Sequence, residues 1–272
     1  MMKTKSLNEY VPEVSFELIP IRNLVSNQKY QRSVSYKHVR AATEHFDLRQ
    51  INPVKVSRRD GINYVFNGQH TIEIVAAVSG SRDTPVWCMV YNDLEYVEEA
   101  DIFANQQKYQ KRLSPFDQFN GRMEADESKA LLIRDLVESY GMTLSSNQTF
   151  GGICAVAALE SVYDKYGYHV LDRTLRILFG TWEGEPDSLS GNFLRAVALL
   201  IHTFDEELDE ERFKEKLGNV TFRYINRNAR EYNKGATGYA LVMLESYNQK
   251  LKSPLDSKRL LSKKAREAKK EA

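Results

Sequence analysis

The stretch Val65-Phe66-Asn67-Gly68-Gln69-His70-Thr71-Ile72-Glu73-Ile74-Val75-Ala76-Ala77 decides the reading of this chain. It reads as the end of a buried strand, a tight glycine turn, then a helix. Gly68 can take a positive φ and lets the backbone approach a ligand closely. The amides after it would sit at a helix N-terminus, where free N–H groups and the helix dipole attract an anion. Asn67, Gln69, His70 and Thr71 add polar side chains at the same point. This is the layout of a phosphate site, and also that of a polar loop leading into a helix.

Upstream of the turn, Val14-Ser15-Phe16-Glu17-Leu18-Ile19 alternates as a strand does. Pro20 should stop any ladder partner there, with Ile21 to Leu24 continuing the segment. A polar loop, Asn27-Gln28-Lys29-Tyr30-Gln31-Arg32, leads to a helix expected over 35–47, with Val39, Ala42 and Phe46 on one face. A strand is expected over 51–57. Arg58-Arg59-Asp60-Gly61 reads as a hairpin turn, and 62–66 as the returning strand. Downstream, the helix should run to about residue 78, ended by Gly80 as its C-terminal cap. Residues 85–91 favour a strand and 95–107 a helix.

This order of strand, helix, hairpin, helix, strand, helix resembles the N-terminal domain of the ParB/sulfiredoxin superfamily. Three segments carry the resemblance. Ile19-Pro20, with Leu24, Asn27 and Gln31-Arg32, is similar to the opening box. Pro53-Val54-Lys55-Val56 followed by Asn67-Gly68-Gln69-His70 is similar to the strand and glycine-turn box. Ala104-Asn105-Gln106-Gln107-Lys108 and then Leu113-Ser114-Pro115-Phe116 are similar to the asparagine box and the helix start that follows it. The resemblance implies a nucleotide site in which Gln31, Arg32, Asn67, Gly68, Gln69, His70, Thr71, Asn105 and Lys108 hold phosphates. Its ligand would be a nucleoside triphosphate with magnesium.

The chain also departs from the family. ParB proteins carry Gly-Glu-Arg-Arg at the turn, whereas this chain has Gly68-Gln69-His70-Thr71. Sulfiredoxins have a catalytic cysteine directly after the glycine; Gln69 stands there, so the thiolate that chemistry needs is missing. Ala104 and Lys108 replace the glutamate and arginine that flank the family's asparagine. The Gly-Gln-His turn resembles a phage- and plasmid-borne branch, some of whose members are linked to DNA modification or restriction. His70 can donate to a phosphate or act as acid or base near neutral pH, or it can be structural. Glu73, one turn into the helix, can serve as a base or simply complement the helix dipole. Arg32 would restore a positive charge lost from the turn.

From Ser114 onward the pattern is helical throughout. Ser114-Pro115-Phe116-Asp117 is a helix start, with a Ser cap, Pro at the first position and Asp in the first turn. Helices are expected over 115–125, 127–140, 150–166, 170–180, 190–206, 209–217 and 236–252. The best helix-turn-helix candidate pairs 131–140 with 150–166. Its connection is longer than the ~3–4 residues of that motif, and its second helix starts apolar nearly all round, so it reads as core. Basic residues cluster at Lys108, Lys111 and Arg112. They cluster again in Phe222-Arg223-Tyr224-Ile225-Asn226-Arg227-Asn228-Ala229-Arg230, where arginine interleaves with aromatics. That pattern suits nucleic acid through Arg223, Arg227 and Arg230, and also an amphipathic surface helix. Residues 257–272 hold seven basic side chains against two acidic ones, a tail suited to nucleic acid.

The whole chain bounds these readings. It has 38 basic and 37 acidic residues, so global charge favours no class of partner. Cys88 and Cys154 lie in apolar contexts and read as buried thiols, with no metal cluster to be built from them. No apolar run approaches the ~20 residues that span a bilayer, and no signal core follows the N-terminus. The expectation is a cytoplasmic α+β protein. A ParB/sulfiredoxin-like α/β domain over 14–112 is followed by an all-α domain over 113–252 and a basic tail over 253–272. Its expected function is that of a ParB-like, DNA-associated protein of a mobile element that binds a nucleotide or phosphate. The expected partners are DNA, a nucleotide and a second copy of the chain, and no membrane. The rivals are an enzyme on the same fold (an NTPase, nuclease or phosphotransferase with His70 or Glu73 as base) and a non-catalytic interaction module.

Overall fold

The computed structural model describes residues 14–26, 29–92, 94–106, 108, 112–232 and 235–261. The chain divides into two compact units, Met1–Lys111 and Arg112–Ala272. No helix among the described residues is long and apolar enough to cross a membrane.

The first unit is a five-stranded mixed sheet with helices. Strands β1 (Val14–Pro20), β2 (Leu24–Val25), β3 (Val54–Arg59), β4 (Ile62–Asn67) and β5 (Pro85–Tyr91) lie in the order β1-β5-β3-β4-β2. β1 runs antiparallel to β5, β5 parallel to β3, β3 antiparallel to β4, and β4 parallel to β2. Helices α1 (Tyr36–Glu44), α2 (Gln69–Ser79) and α3 (Tyr96–Asn105) complete the unit, and α1 packs on α2. The core is made by alternate strand residues (Val54, Val56, Val65, Val86, Cys88, Val90) and by Ile72 and Val75 of α2. Burial pushes the Cys88 thiol up to about 11, so it is protonated and inert near neutral pH.

Several boundaries differ from the sequence expectation. β1 ends at Pro20, opposite Pro85, a pair with no amide hydrogen to bond. Residues Ile21–Asn23 do not extend the strand. They form a 3-10 turn that leads to β2 at the far edge of the sheet. The strand expected from residue 51 starts only at Val54, because Pro53 has no N–H and restrains Asn52 before it. The expected hairpin tightens to a two-residue turn, Asp60 and Gly61 at φ 50° and 75°, the left-handed pair that matches the twist of the flanking strands.

The second unit is built from α4 (Pro115–Glu124), α5 (Ser128–Ser139), α6 (Val156–Tyr166), α7 (Tyr168–Trp182), α8 (Gly191–Phe204), α9 (Glu210–Leu217), α10 (Phe222–Glu231), α11 (Ala236–Asn248) and the short α12 (Lys258–Leu261). At α4 the Ser114 hydroxyl accepts from the Asp117 amide at 3.1 Å. The Asp117 carboxylate accepts from the Ser114 amide at 2.9 Å, closing a reciprocal capping box. The apolar α8 is the hub, packed against α6, α7 and α11. Trp182 stands in an aromatic cluster with Phe193, Phe213 and Phe222, ring centres 5.5–6.0 Å apart.

This unit corrects the all-α expectation in one place. Residues 150–155 do not begin a helix. Strand β7 (Gly152–Ile153) pairs in parallel with β6 (Thr143–Leu144), and helix resumes only at Val156. Gly151 at φ 67° and the crowding at Gly152, where an added Cβ would lie 2.2 Å from Thr149 Oγ1, break the helical pattern. The helix-turn-helix candidate therefore does not form: this ladder separates α5 from α6, and Val156, Ala158, Leu159 and Val162 of α6 are core. Cys154, expected buried, is partly exposed at this break.

Candidate functional site

Gly68 leaves β4 at φ 105°, ψ 14° and caps α2. A Cβ there would lie 3.2 Å from both Cα and Cγ2 of Val54, so the close approach to β3 also requires glycine. The first bond of the helix runs from the Ile72 amide to the Gly68 carbonyl, 3.0 Å. The amides of Gln69, His70 and Thr71 precede it and find no acceptor among the described residues. They border a cavity of about 570 Å³ lined also by Gln31, Arg32 and Asn67. Seven residues expected at the site thus converge: Gln31, Arg32, Asn67, Gly68, Gln69, His70 and Thr71.

Three bonds fasten the loop before α1 to the glycine turn. The Gln31 side-chain amide donates to the Val65 carbonyl. The Gln69 side chain, 7% exposed, donates through Nε2 to the Arg32 carbonyl at 2.7 Å. The Ser35 backbone N–H donates to Nε2 of His70 at 3.1 Å. Gln69 and His70 are therefore clasps, each spent on backbone. Gln31 Oε1 is buried without a hydrogen-bond partner among the described residues.

His70 is held as the neutral imidazole. Nε2 accepts a bond, so the ring proton sits on Nδ1. Burial first, then the charge of Arg32 and then His38, lower its pKa below 6.5. The His38 ring lies edge-on at 5.5 Å. A cationic His70 giving two donors to a phosphate does not match this geometry. The folded state binds this proton more weakly than the unfolded chain. The clasp's contribution to stability is thus fully present above about pH 6.5 and is lost as pH falls through the lower, folded pKa. An NMR titration of His70 should have its midpoint below 6.5, with the Ser35 amide shift following it. A midpoint at or above 6.5 contradicts the clasp.

Three expected site residues lie elsewhere. Glu73 is paired with Arg82 at 2.6 Å and does not line the cavity, which removes it as a base there. Asn105 folds back on its own helix, donating to the carbonyl and carboxylate of Asp101 at 3.1 and 2.9 Å. Lys108 follows α3 and is outside the lining. The α3 side of the cavity is formed instead by Phe103, Ala104 and Gln106, and Gln106 Oε1 accepts from Asn67 Nδ2 at 2.7 Å. Helical phase explains the exchange, because Glu99, Phe103 and Gln106 share one face at i, i+4 and i+7.

Beneath the aromatic wall is a buried polar network that sequence reasoning missed. Glu99 is fully buried and pairs with Arg59 Nε at 2.6 Å. The Tyr30 hydroxyl donates to its other oxygen at 3.1 Å. Tyr30 packs against Tyr96 and Phe103 with ring centres 5.6 and 5.4 Å away. Burial and then the Glu99 charge push the Tyr30 phenol far up, so it stays a donor. The Arg59 guanidinium lies over the Tyr64 ring at 4.3 Å.

The lining carries Arg32 and turn amides but no carboxylate. Among the described residues no group of three His, Cys, Asp or Glu could hold a metal. The donor set fits an anion; a magnesium ion would have to be held mainly by the ligand's own phosphates. Of the residues expected to meet nucleic acid, Arg112, Arg223, Arg227 and Arg230 are exposed, while Lys111 and the tail beyond residue 261 lie outside the described residues.

These features define a two-part protein: a five-stranded α/β unit with an anion-ready cavity at a strand-to-helix turn, then a helical unit. Residues 25–257, spanning both units, match the model of a family of unknown function, DUF6551, and the chain belongs to that family. No curated protein matches it. Among solved structures, it is similar to the C-terminally truncated chromosome-partitioning protein ParB from Caulobacter crescentus, complexed with CTP-gamma-S. That likeness has 12% identity and a TM-score of 0.35, covering 85% of this chain and 98% of that one. The superposition is loose.

Proposed function

We propose that this is a ParB-like, DNA-associated protein of a mobile element whose first unit binds a nucleoside phosphate. The observation that carries the nucleotide half is the Gly68 turn, with three acceptor-free amides bordering a cavity that holds Arg32 and no carboxylate. Phosphate oxygens would accept from the amides of Gln69, His70 and Thr71 and from Arg32. The base would pack on the aromatic wall of Tyr30 and Phe103. Gln31 Oε1 would accept from an amine or hydroxyl of the ligand, satisfying the orphaned acceptor. Ligand contacts on both sides of the clasps would favour the closed loop, and differential affinity for two loop states is what a nucleotide switch needs.

Among the described residues that line the cavity none is placed as a base for hydrolysis, since Glu73 is paired elsewhere and His70 Nε2 is occupied. The reading is therefore of binding rather than catalysis. A non-catalytic interaction module is the second reading. It is favoured by the exposed apolar sheet face of Phe16, Leu18 and Trp87, 59%, 53% and 56% accessible.

Thermal-shift screening against CTP, ATP, GTP and their diphosphates, with and without magnesium, tests the proposal. A ligand that binds only the native state adds about 2.7 kcal/mol at 100 times its Kd. At least one nucleotide should raise the melting temperature while its nucleoside does not. No shift with any of them would leave the interaction module as the better reading.

A further inference from the structure

We infer that α10 is a docking surface for the backbone of duplex DNA, read through Arg223, Arg227 and Arg230. This deepens the DNA half of the proposed function and rests on it for the identity of the polyanion. Ile225 and Ala229 are buried and fix the rotation of the helix. At 100° per residue the three arginines then fall within about 60° of arc, and at 1.5 Å per residue they span about 10.5 Å. All three are exposed.

Five arginines elsewhere in the same unit are held by carboxylates, while Arg112, Arg195 and Arg212 have no ion pair among the described residues. Arg122 pairs with Glu127 and Glu160, Arg134 with Asp135, Arg173 and Arg176 with Glu210, and Arg259 with Glu207. Arg223, Arg227 and Arg230 have no ion pair or side-chain hydrogen bond to any described residue. They surround a shallow depression of about 440 Å³ with Asn226 and one carboxylate, Asp187. Three like charges in a row repel each other, and the single Asp187 carboxylate in the depression offsets only part of this, with no ion pair to any of the three. A line of phosphates would offset the rest: one strand of duplex DNA carries a charge every ~3.4 Å of axis, so 10.5 Å runs beside about three. The guanidinium fork suits phosphate oxygens. Contacts to phosphate alone carry no sequence information, so binding through this row should be blind to sequence.

The test is a fluorescence-anisotropy titration of full-length protein with a random 20-base-pair duplex at several salt concentrations. Unchanged melting temperatures establish that the variants are folded. Replacing Arg223, Arg227 and Arg230 together by alanine should weaken binding at least tenfold at low salt. It should also make the log–log salt slope shallower by about 2.7, at 0.9 per phosphate contact. Asp187→Asn, which removes the one opposing charge, should tighten binding several-fold. Wild-type binding with an unchanged affinity and slope in the triple variant would overturn this inference and leave the proposed function standing. No binding by the wild type even at low salt would overturn both. Equal displacement of the duplex from the wild type and the triple variant by an acidic polypeptide would place the polyanion contact elsewhere.

Discussion

Gly68→Val is expected to abolish nucleotide binding and to destabilise the first unit by about 2–6 kcal/mol. Two costs add. A β-branched residue at φ 105° carries backbone strain of about 1–3 kcal/mol. The new Cβ would also meet the Val54 backbone at 3.2 Å, a neighbour that cannot rotate away, and overpacking of this kind costs about 1–3 kcal/mol. Either relief, flipping the turn or separating β4 from β3, withdraws the amides of Gln69, His70 and Thr71 from the cavity. Gly68→Ala keeps the strain with the smallest possible side chain. It should lose less stability and still bind more weakly than the wild type. Calorimetric titration with the best nucleotide, beside hydrogen exchange of the β3 and β4 amides, separates binding from folding. Undiminished affinity in a folded Gly68→Val protein would remove the turn from the site.

Glu99→Ala should cost about 3 kcal/mol, the low end of the 3–5 kcal/mol seen when one partner of a buried ion pair is removed. The low end applies because Arg59 is 24% exposed and keeps its contact over Tyr64. The Tyr30 hydroxyl also loses its acceptor, so the aromatic wall of the cavity should loosen with it. Exchange of the protected amides in β3 and β4 should speed by about two decades, each decade being about 1.4 kcal/mol. Nucleotide affinity should fall as well, although Glu99 does not line the cavity. A loss under 0.5 kcal/mol would mean that the network does not support the site.

What could be read from the sequence followed from local rules. The Gly68 turn, the Gly80 cap and the Ser114-Pro115 helix start each depend on residues within one turn of each other. The Tyr30–Glu99 and Arg59–Glu99 contacts bridge 69 and 40 residues, and no local pattern announces them. Asn105 was the natural choice from the resemblance, but one helical step of 100° separates it from Gln106, which does line the cavity. The phase could have been taken from the buried face of α3. The β6–β7 ladder was hidden for a different reason. Two residues per strand give no periodicity, and the apolar run over 153–159 outweighed the glycines before it. The arginine row of α10 was visible as composition, but its lack of carboxylate partners is a property of the fold.

If the Gly68 turn holds the phosphates of a nucleotide, its own amides should report the binding. Site-resolved NMR of the full-length, 15N-labelled protein tests it most directly, titrated with the nucleotide that gives the largest thermal shift. The backbone amides of Gln69, His70 and Thr71 should move downfield and saturate together with the side-chain amide of Gln31. Inorganic phosphate should move the turn amides without moving Gln31. Saturable binding that leaves residues 69–71 unshifted, or shifts confined to other segments, would contradict the claim.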